Sequence, residues 1–475
     1  MTEKSFKFKT SPWEHQLKAL EYLYTRDTAA LYTDMGTGKS KVMIDLIVNR
    51  GFRNVLIVCT AKGCSVWKKQ FQIHSDIPQS SVVNLSGVPT PEKLSLITNV
   101  PNLGNFGGTG TTPFIVLINY EGVWREQISR YLMRKSVKID CIICDESHRI
   151  KSPGSKCSRF LKKLSKKSPC RYLVTGTPLA ENPMDIYAQY RFLDPSIFGT
   201  SFSSFKERYE NVDVQASMAC GYTVLNKKEP YVNLDELREK MFSCAFYAKS
   251  SLKLPKQRNI IVEFNLSAKA QQLYKELSEE GVLAFDEGLL TVDNVLARVV
   301  RQLQLTSGIV QIEDPCTKEK TLKRVDTSRA ELLQELLENL PRDEPVVVFA
   351  NFIADFDEIA RVCDITHRKY SELRGGRDTE QLWQQGKTSV IIVQYVSGSE
   401  SVDFTRARYC IYYGLTHSLA KYLQSKKRVH RPGQVRNCIY YHFVAKNTID
   451  TKVIQALKNK QDVVEYIMEQ EKHPS

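Results

Sequence analysis

The chain has 475 residues, of which 42% are hydrophobic and 25% are charged, a composition typical of a soluble globular protein of about three domains. Lysine and arginine number 67 against 53 aspartate and glutamate residues, so the formal net charge is +14, which favours a polyanionic partner. The sequence has no long apolar run and no apolar segment near its N-terminus, so it predicts neither a membrane span nor a secretory signal.

Between roughly residues 10 and 200, apolar strand-like runs alternate with helical patterns, which predicts a parallel sheet built from strand–helix–strand units. The predicted strands there are 29–33, 54–60, 113–119, 139–145 and 171–176. Residues 201–325 are predicted to be mostly helical, because apolar residues recur at helical spacing in 267–285 and 294–308. From 326 to 475 the alternation returns, with predicted strands at 345–351, 389–395, 409–414 and 438–445.

These patterns predict an α/β fold in three segments. Residues 1–200 and 326–475 each form a lobe with a mostly parallel sheet flanked by helices, and residues 201–325 form a helical connector or insertion between them. Ligand sites in such sheets lie at the carboxyl ends of the strands, so those positions are the first to inspect for chemistry.

An eight-residue motif, TDMGTGKS at 33–40, lies between the first predicted strand and an apolar helical run. In this setting glycines let backbone N–H groups face phosphate oxygens, and the helix N-terminus adds a positive dipole. Lys39 can reach the β- and γ-phosphates of ATP, and the Ser40 hydroxyl can bind magnesium. Thr33 occupies the position of the motif's usual first glycine, so only the core matches, and a glycine-rich turn before a helix is the alternative. The residues predicted to bind nucleotide here are Gly36, Thr37, Gly38, Lys39 and Ser40.

Two acidic residues end the buried-strand pattern of IDCIICDESH at 139–148. Asp145 can hold the magnesium ion, and Glu146 can orient and deprotonate the attacking water. An acidic pair at a strand end can also simply turn into solvent, so this assignment depends on the phosphate loop earlier in the chain. His148 is a candidate for transmitting the nucleotide state of the site to neighbouring groups, although a lone histidine is more often structural.

With these motifs in place, the chain resembles superfamily-two helicases, and within them the Swi/Snf-like DNA translocases, from about Trp13 to about Asp450. DESHRIK at 145–151 resembles the family's DEAH-R-I-K signature, with Ser147 in place of alanine. QSKKRVHRPGQ at 424–434 resembles its Q-x-x-x-R-x-H-R-x-G-Q signature. Other segments resemble further motifs of the family: LIVCTAKGCSVWKKQF (56–71), VLINYEGV (116–123), VTGTPLAENPMDIYAQYRFLDP (174–195) and RQLQLTSG (301–308).

The resemblance implies roles for individual residues. Arg428 and Arg431 are implied arginine fingers that stabilise charge on the terminal phosphate, with Arg431 favoured; without the resemblance, two surface arginines in a basic stretch would be the simpler interpretation. Gln16 is implied to bind adenine, since a side-chain amide pairs with both a donor and an acceptor. The fifth motif departs from the family's G-x-G-L-N-L, because Ser401 replaces its second glycine and Asp403 its asparagine.

The sequence also contains candidate residues for contacts with nucleic acid. Candidate contacts to the backbone are Lys62, Tyr120, Glu121, Asn351 and the segment 397–405. Candidate stacking residues for tracking a single strand are Trp67, Trp124, Tyr395 and Phe404, although such aromatics more often belong to a core. The charged run KKLSKKS at 162–168 is typical of a solvated helix face and less often of a DNA contact.

The resemblance implies two RecA-like lobes that bind ATP and magnesium and move along nucleic acid, with double-stranded DNA favoured as the partner and RNA not excluded. A strand-separating DNA or RNA helicase is the alternative, and a non-hydrolysing nucleic-acid-binding scaffold is a third hypothesis from a different class. The chain looks like a minimal member of the family, of the kind that bacteria and phages carry, so we expect a cytoplasmic location in a bacterial or phage-infected cell.

Overall fold

In the computed structural model the chain forms two compact α/β units. The first, here called the first lobe, comprises residues 1–251 and 462–475, and the second lobe comprises residues 252–461. The structure describes residues 6–34, 36–98, 106–107, 112–221, 223–248, 254–279, 282–285, 288–291, 295–313, 317, 319–395 and 402–468.

The elements are numbered in chain order. The helices of the first lobe are α1 (Glu14–Tyr24), α2 (Lys39–Arg50), α3 (Ala61–His74), α4 (Thr90–Thr98), α5 (Tyr120–Val123), α6 (Glu126–Leu132), α7 (Lys156–Ser165), α8 (Asp185–Leu193), α9 (Pro195–Phe198), α10 (Phe202–Tyr209), α11 (Val214–Cys220) and α12 (Leu234–Phe242). Its strands are β1 (Thr28–Thr33), β2 (Asn54–Cys59), β3 (Val82–Asn84), β4 (Phe114–Asn119), β5 (Cys141–Asp145), β6 (Cys170–Thr175) and β7 (Ala245–Ala248), and its two short 3-10 helices are Gln79–Ser81 and Ser147–Ile150.

In the second lobe the helices are α13 (Ala268–Glu279), α14 (Val295–Thr306), α15 (Ser328–Glu338), α16 (Ile353–Ile365), α17 (Glu380–Gln384), α18 (Leu419–Val429) and α19 (Ile449–Met468), of which α19 extends past residue 461. The strands are β8 (Gln257–Phe264), β9 (Val282–Phe285), β10 (Gly288–Thr291), β11 (Ile309–Glu313), β12 (Lys320–Arg324), β13 (Val346–Ala350), β14 (Tyr370–Arg374), β15 (Arg377–Asp378), β16 (Val390–Gln394), β17 (Tyr409–Tyr412) and β18 (Cys438–Ala445).

The first lobe is built on a seven-stranded sheet of order β3-β4-β2-β5-β6-β1-β7, in which every neighbouring pair is parallel. Its central strands are apolar along their whole length because both faces are covered by helices. In β2, Leu56 and Val58 join one hydrophobic cluster while Val55 and Ile57 join another, as expected when successive side chains point to opposite faces.

The second lobe has a seven-stranded sheet of order β15-β14-β16-β13-β17-β18-β8. All its pairs are parallel except β14 with β15. The α/β fold with two mostly parallel sheets flanked by helices is therefore confirmed. Within the described residues, every helix is too short or too polar to cross a bilayer.

Residues 201–325 differ from the mostly helical expectation. Alongside α10 to α14 they contain β7, at the edge of the first sheet, β8, at the edge of the second, and the antiparallel sheet β12-β11-β10-β9. The helical spacing correctly identified α13 and α14. It missed β7, β9 and β10 because they are only four residues long, and β9 (VLAF) was included in the helical pattern of 267–285. It missed β12 (KTLKR) because that strand is mostly polar and carries no continuous apolar run.

Candidate active site

The phosphate loop connects β1 to α2, and its backbone conformation explains its glycines. Gly36 and Gly38 both have φ of 79°, a region that glycine enters at little cost. A Cβ on Gly38 would overlap Nε2 of Gln16, so a larger residue there would have to displace that side chain. No side chain caps the start of α2, which leaves its first backbone N–H groups available to an anion.

The side chains of the loop are held by its own backbone. Lys39 Nζ donates to the carbonyl oxygens of Thr33 and Asp34, each at 3.0 Å. Thr37 Oγ1 donates to the Asp34 carbonyl at 2.7 Å and lies 2.9 Å from Thr33 Oγ1. The threonine that replaces the usual glycine therefore adds a hydroxyl contact inside the loop. Lys39 is therefore held by oxygen acceptors of the kind that a phosphate also offers.

Gln16 joins the start of α1 to the phosphate loop. Its Nε2 donates to the Thr37 carbonyl at 2.9 Å, and its Oε1 accepts from the Trp13 backbone N–H at 2.9 Å. His15 Nε2 lies 2.9 Å from the same Thr37 carbonyl. Gln16 is thus adjacent to the loop, as the motif implies, and its role in binding adenine stays a prediction.

The acidic pair and the phosphate loop lie at one edge of the first sheet. β6 lies between β5 and β1, all three strands are parallel, and Asp145 and Leu31 share the partner Val174 in the register. Two strand spacings separate β5 from β1, or about 10 Å. The charge of Lys39 accordingly acts on the pKa of Asp145. The sequence prediction that these motifs share a site agrees with this geometry.

Asp145 is held from two sides. Trp67 Nε1 donates to Asp145 Oδ2 at 2.7 Å, and the Tyr120 hydroxyl donates to the Asp145 carbonyl at 2.7 Å. The pKa of the Asp145 carboxyl is raised to about 6, because burial and, to a smaller extent, the charge of Glu146 outweigh the hydrogen bond from Trp67 and the charge of Lys39, which lower it. Both supporting aromatics are buried, so Tyr120 is a support for the acidic turn and not an exposed backbone contact.

Glu146 has a strained backbone. Its φ of 52° places a non-glycine residue in the left-handed region, which is uncommon and concentrates at functional sites. Its Oε2 accepts from Thr175 Oγ1 at 3.3 Å, and His148 Nδ1 lies 3.2 Å from that hydroxyl and 3.5 Å from Oε2. Burial lowers the pKa of His148, against the opposing effect of Glu146. The three side chains therefore form a compact polar network that links the ends of β5 and β6.

Ser147, which departs from the family's alanine, has a structural role. Its hydroxyl donates to Gln189 Oε1 at 2.7 Å, and Gln189 Nε2 donates to the Pro178 carbonyl at 2.7 Å. The acidic turn is thereby connected through α8 to the TGTP segment after β6. Lys151 adds an ion pair to Asp185 of α8 at 3.5 Å.

In the second lobe, several residues of the Q-x-x-x-R-x-H-R-x-G-Q signature fix a loop. Gln434 Nε2 donates to the carbonyl oxygens of Ala407 at 2.7 Å and Thr405 at 3.1 Å. His430 Nε2 lies 2.7 Å from the Pro255 carbonyl, and Gly433 has φ of 101°. These contacts set the backbone around the two arginines, and no sequence pattern assigned them.

Arg428 and Arg431 lie at the end of α18 and just beyond it. Arg428 is 8% exposed, whereas the side chain of Arg431 is 23% exposed. Arg431 Nε lies 3.7 Å from Asp403 Oδ2, and the other oxygen of that carboxylate accepts from Thr405 N–H at 2.8 Å. The aspartate that replaces the family's asparagine thus contacts the favoured arginine. Residues 396–401, which hold the Ser401 departure and part of the 397–405 candidate, lie outside the described residues.

Four other nucleic-acid candidates are structural. Asn351 Nδ2 donates to the Leu415 carbonyl at 2.6 Å. Trp67, Tyr395 and Phe404 are at most 4% exposed, so they belong to the core. Lys62 and Glu121 are exposed.

The donor set fits magnesium held jointly with a nucleotide. Among the described residues, no group of three or more histidine, cysteine, aspartate or glutamate side chains is placed to hold a metal ion. Magnesium beside phosphates needs only one or two protein ligands, because phosphate oxygens and water complete its shell. Ser40, at the start of α2, and Asp145, at the end of β5, would supply that small set.

Comparison with known proteins places the chain in a family. The model described as the SNF2-related domain matches residues 15–318, and that described as the Helicase conserved C-terminal domain matches residues 328–433. The chain is 23% identical over 424 residues to the DNA repair and recombination protein RDH54 of Saccharomyces cerevisiae (strain ATCC 204508 / S288c), covering 85% of this chain and 43% of that protein. It is 21% identical over 513 residues to the DNA repair and recombination protein RAD54B of Gallus gallus, covering 94% and 53%.

An uncharacterized ATP-dependent helicase of Mycoplasma pneumoniae is 22% identical over 453 residues, covering 91% of this chain and 39% of that protein. The chain therefore spans about half or less of the length of these relatives. Among solved structures, the Sulfolobus solfataricus SWI2/SNF2 ATPase core in complex with dsDNA is 18% identical, with a TM-score of 0.43 and coverage of 97% of this chain and 94% of that one. Because the SNF2-related model matches more than half of the residues, the chain belongs to the SNF2-related family, the Swi/Snf-like group of superfamily-two helicases that its motifs predicted.

Proposed function

We propose that the chain is an ATP hydrolase that uses nucleotide turnover to move along double-stranded DNA and to remodel DNA or protein–DNA complexes. The observation that carries this proposal is the meeting of the phosphate loop, Asp145 and Glu146 at one edge of the first sheet, with Asp145 fixed by Trp67. Such fixed geometry suits phosphoryl transfer, in which catalysis comes mainly from positioning and charge stabilisation.

Each residue has a separable role in this proposal. Lys39 and the backbone N–H groups at the start of α2 bind the phosphates, and Gln16 binds adenine. Asp145 and Ser40 hold magnesium, which would neutralise charge on the terminal phosphates when bound. Glu146 orients the attacking water and takes its proton, while Thr175 and His148 hold the Glu146 carboxylate.

Arg428 and Arg431 act on the terminal phosphate as arginine fingers. Charge spreads over the phosphate oxygens as the bond to the leaving group breaks, and a guanidinium stabilises that charge through paired hydrogen bonds. The support comes from the signature that surrounds these arginines and from the contacts of His430, which lies between them, and of Gln434, which follows them.

DNA is proposed as the partner, with the double-stranded form favoured. The two DNA repair and recombination proteins among the relatives and the net charge of +14 support this choice. The strand-separating alternative gains no support from Trp67, Tyr395 or Phe404, since their rings are buried and offer no stacking surface.

An ATPase assay with duplex DNA, single-stranded DNA and RNA tests the proposal. We expect duplex DNA to stimulate the wild type most, and Glu146→Gln to lower kcat by about 100-fold or more, since it removes the general base. Glu126→Gln, an exposed carboxylate on α6, is the matched control and should leave the rate unchanged. A rate indifferent to every nucleic acid, or a Glu146→Gln enzyme as fast as the control, would contradict the proposal.

Two further assays separate translocation from unwinding. Displacement of the third strand of a triplex by the wild type, without separation of a duplex into single strands, is the result expected for a duplex translocase. Duplex unwinding would favour the helicase alternative. Activity in either assay that survives Lys39→Ala would instead indicate a scaffold that does not depend on hydrolysis.

A further inference from the structure

The positive charge of the chain is concentrated in one stretch of the first lobe. Residues 147–180 contain nine lysine and arginine residues and no aspartate or glutamate, although the whole chain has 67 basic and 53 acidic residues. This stretch includes α7, which follows the acidic turn at the carboxyl ends of the strands and ends shortly before β6 begins. Basic residues are therefore frequent on α7 and on both sides of it in the sequence.

α7 and α8 pack together and form a basic groove, here called the α7–α8 groove. Its volume is about 410 Å³, and five of its eight lining residues are cationic while none is acidic. The cations are Arg159, Lys162, Lys163, Lys166 and Arg191. Among the residues that the structure describes, none of these five has an ion-pair partner.

Arg191, which lines this groove, has an unsatisfied donor. Its Nε is buried and has no hydrogen-bond partner within the described part of the chain, and its guanidinium lies 5.4 Å from the centroid of the Tyr187 ring. A buried donor without a partner costs about 1–3 kcal/mol. A bound anion would reduce the mutual repulsion of the five cations, and a shift of the Arg191 side chain toward it would let Nε find an acceptor.

The arrangement fits a phosphate backbone better than an acidic protein segment. Arg159, Lys163 and Lys166 follow one helix face over seven residues, a span of about 10 Å, along which duplex DNA carries about six charges. Protein partners are usually anchored by aromatic or large apolar side chains, and the apolar lining here is only Pro153 and Ala188. Backbone binding needs only donors and cations directed at phosphates.

We propose that the α7–α8 groove binds a second segment of nucleic acid through its phosphate backbone, in addition to the segment on which the motor would act. Such a site would let one molecule hold two duplexes, or two parts of one bent duplex. It does not require ATP hydrolysis, since none of its residues belongs to the phosphate loop or the acidic turn.

Binding of a labelled short duplex without nucleotide tests this inference, with Lys163→Gln/Lys166→Gln compared with the matched control Lys227→Gln/Lys228→Gln in an exposed segment. For the wild type and the control we expect two binding events. In the groove variant the weaker event should lose at least about tenfold in affinity, and its log–log salt slope should fall by about 1.8, the value for two phosphate contacts. The stronger event and the melting temperature should match the control.

Two results would overturn the inference. One is a single binding event in the wild type, or a second event that the groove variant keeps. The other is binding of polyglutamate that the groove variant loses while duplex binding is unchanged, which would make the partner an acidic polypeptide. Because nucleotide is absent, a failure of the proposed ATPase activity would leave the test intact and would be seen separately.

Discussion

Trp67 has a role beyond packing, because its indole N–H donates to the Asp145 carboxylate. The hydrogen bond opposes the rise in the pKa of Asp145 that burial causes, and it fixes one oxygen while the other accepts from the Glu146 backbone N–H at 3.1 Å. A charged acceptor makes such a bond worth about 1.5–3 kcal/mol. Its loss should therefore change how Asp145 holds a cation more than it changes the fold.

Trp67→Phe tests this role. It keeps an aromatic ring in the core and removes the donor, so we expect about tenfold more magnesium to be needed for half-maximal DNA-stimulated ATPase activity. The matched control is Trp124→Phe, whose indole lies beside Arg125 and Lys156. A magnesium dependence that is the same in both variants would show that Trp67 is only a core residue.

Asp403 is the residue by which the fifth motif departs most clearly from its family, and it contacts Arg431. A half-exposed pair of this kind is worth at most about 1 kcal/mol. If Arg431 moves to the terminal phosphate during turnover, it must leave Asp403. The pair would then lower the ATPase rate measured without DNA by at most about fivefold.

Asp403→Asn should therefore raise the ATPase rate measured without DNA by up to about fivefold. Asparagine can keep the hydrogen bonds from Thr405 through its amide oxygen, so the loop should hold its conformation. Asp343→Asn removes an exposed carboxylate elsewhere in the second lobe and serves as the control. An unchanged or lower basal rate in Asp403→Asn would exclude a restraining role.

At the level of elements, β18 and α18 are joined through a buried histidine. His442 is 1% exposed, its Nε2 lies 3.0 Å from the Tyr422 hydroxyl, and its ring centroid lies 4.7 Å from that of Tyr412. Burial, with a smaller effect of Lys426, lowers the pKa of His442 to about 4. The ring is therefore neutral in the folded lobe until the solution is strongly acidic.

This shift makes the second lobe sensitive to acid. Between pH 6.5 and 4 the unfolded chain binds a proton that the folded lobe does not, so stability is lost as the pH falls. From pH 7.5 to 5 this group should remove about 2 kcal/mol from the free energy of unfolding. His442→Gln, which can keep the bond to Tyr422, should lose that part of the pH dependence. Hydrogen exchange of β17 and β18 amides at the two pH values measures the change in the free energy of unfolding. An equal change with pH in the wild type and in His442→Gln would contradict the assignment.

The strands show which parts of the fold the sequence patterns predict. The nine predicted strands correspond to β1, β2, β4, β5, β6, β13, β16, β17 and β18, most of them buried on both faces and therefore written as continuous apolar runs. β8 was missed because it lies at a sheet edge and alternates half-buried with exposed residues. β9 to β12 were missed because no apolar period distinguishes them from the helical sequence around them.

The candidate site also has features that the sequence predicts and features that it does not. The meeting of the phosphate loop with Asp145 was predictable, since parallel strands bring their carboxyl ends to one edge. The support of Asp145 by Trp67 joins residues 78 positions apart, and the bond from Gln434 to Ala407 joins residues 27 apart. Such contacts depend on how side chains pack in three dimensions, and neither periodicity nor spacing encodes them. The tryptophan of the WKKQF segment, in a region that resembles a family motif, was the one available signal.

For the whole molecule, the proposal gives roles in ATP hydrolysis to residues of both lobes. Lys39 belongs to the first lobe, and Arg428 and Arg431 belong to the second. Removing Lys39 and removing the arginines should change different kinetic properties of the enzyme. Loss of a phosphate-binding group weakens ground-state binding, whereas loss of an arginine finger removes an interaction made mainly in the transition state.

Arg431→Ala should accordingly lower kcat by about 1,000-fold while the Kd for ATP changes by only a few fold. Lys39→Ala should instead weaken ATP binding directly, and Arg377→Gln, which alters an exposed arginine of β15, should behave as the wild type. Measured together, these variants separate binding from chemistry across the two lobes. If Arg431→Ala and Arg428→Ala both keep full kcat, neither arginine acts on the terminal phosphate, and the arginine-finger assignment is wrong.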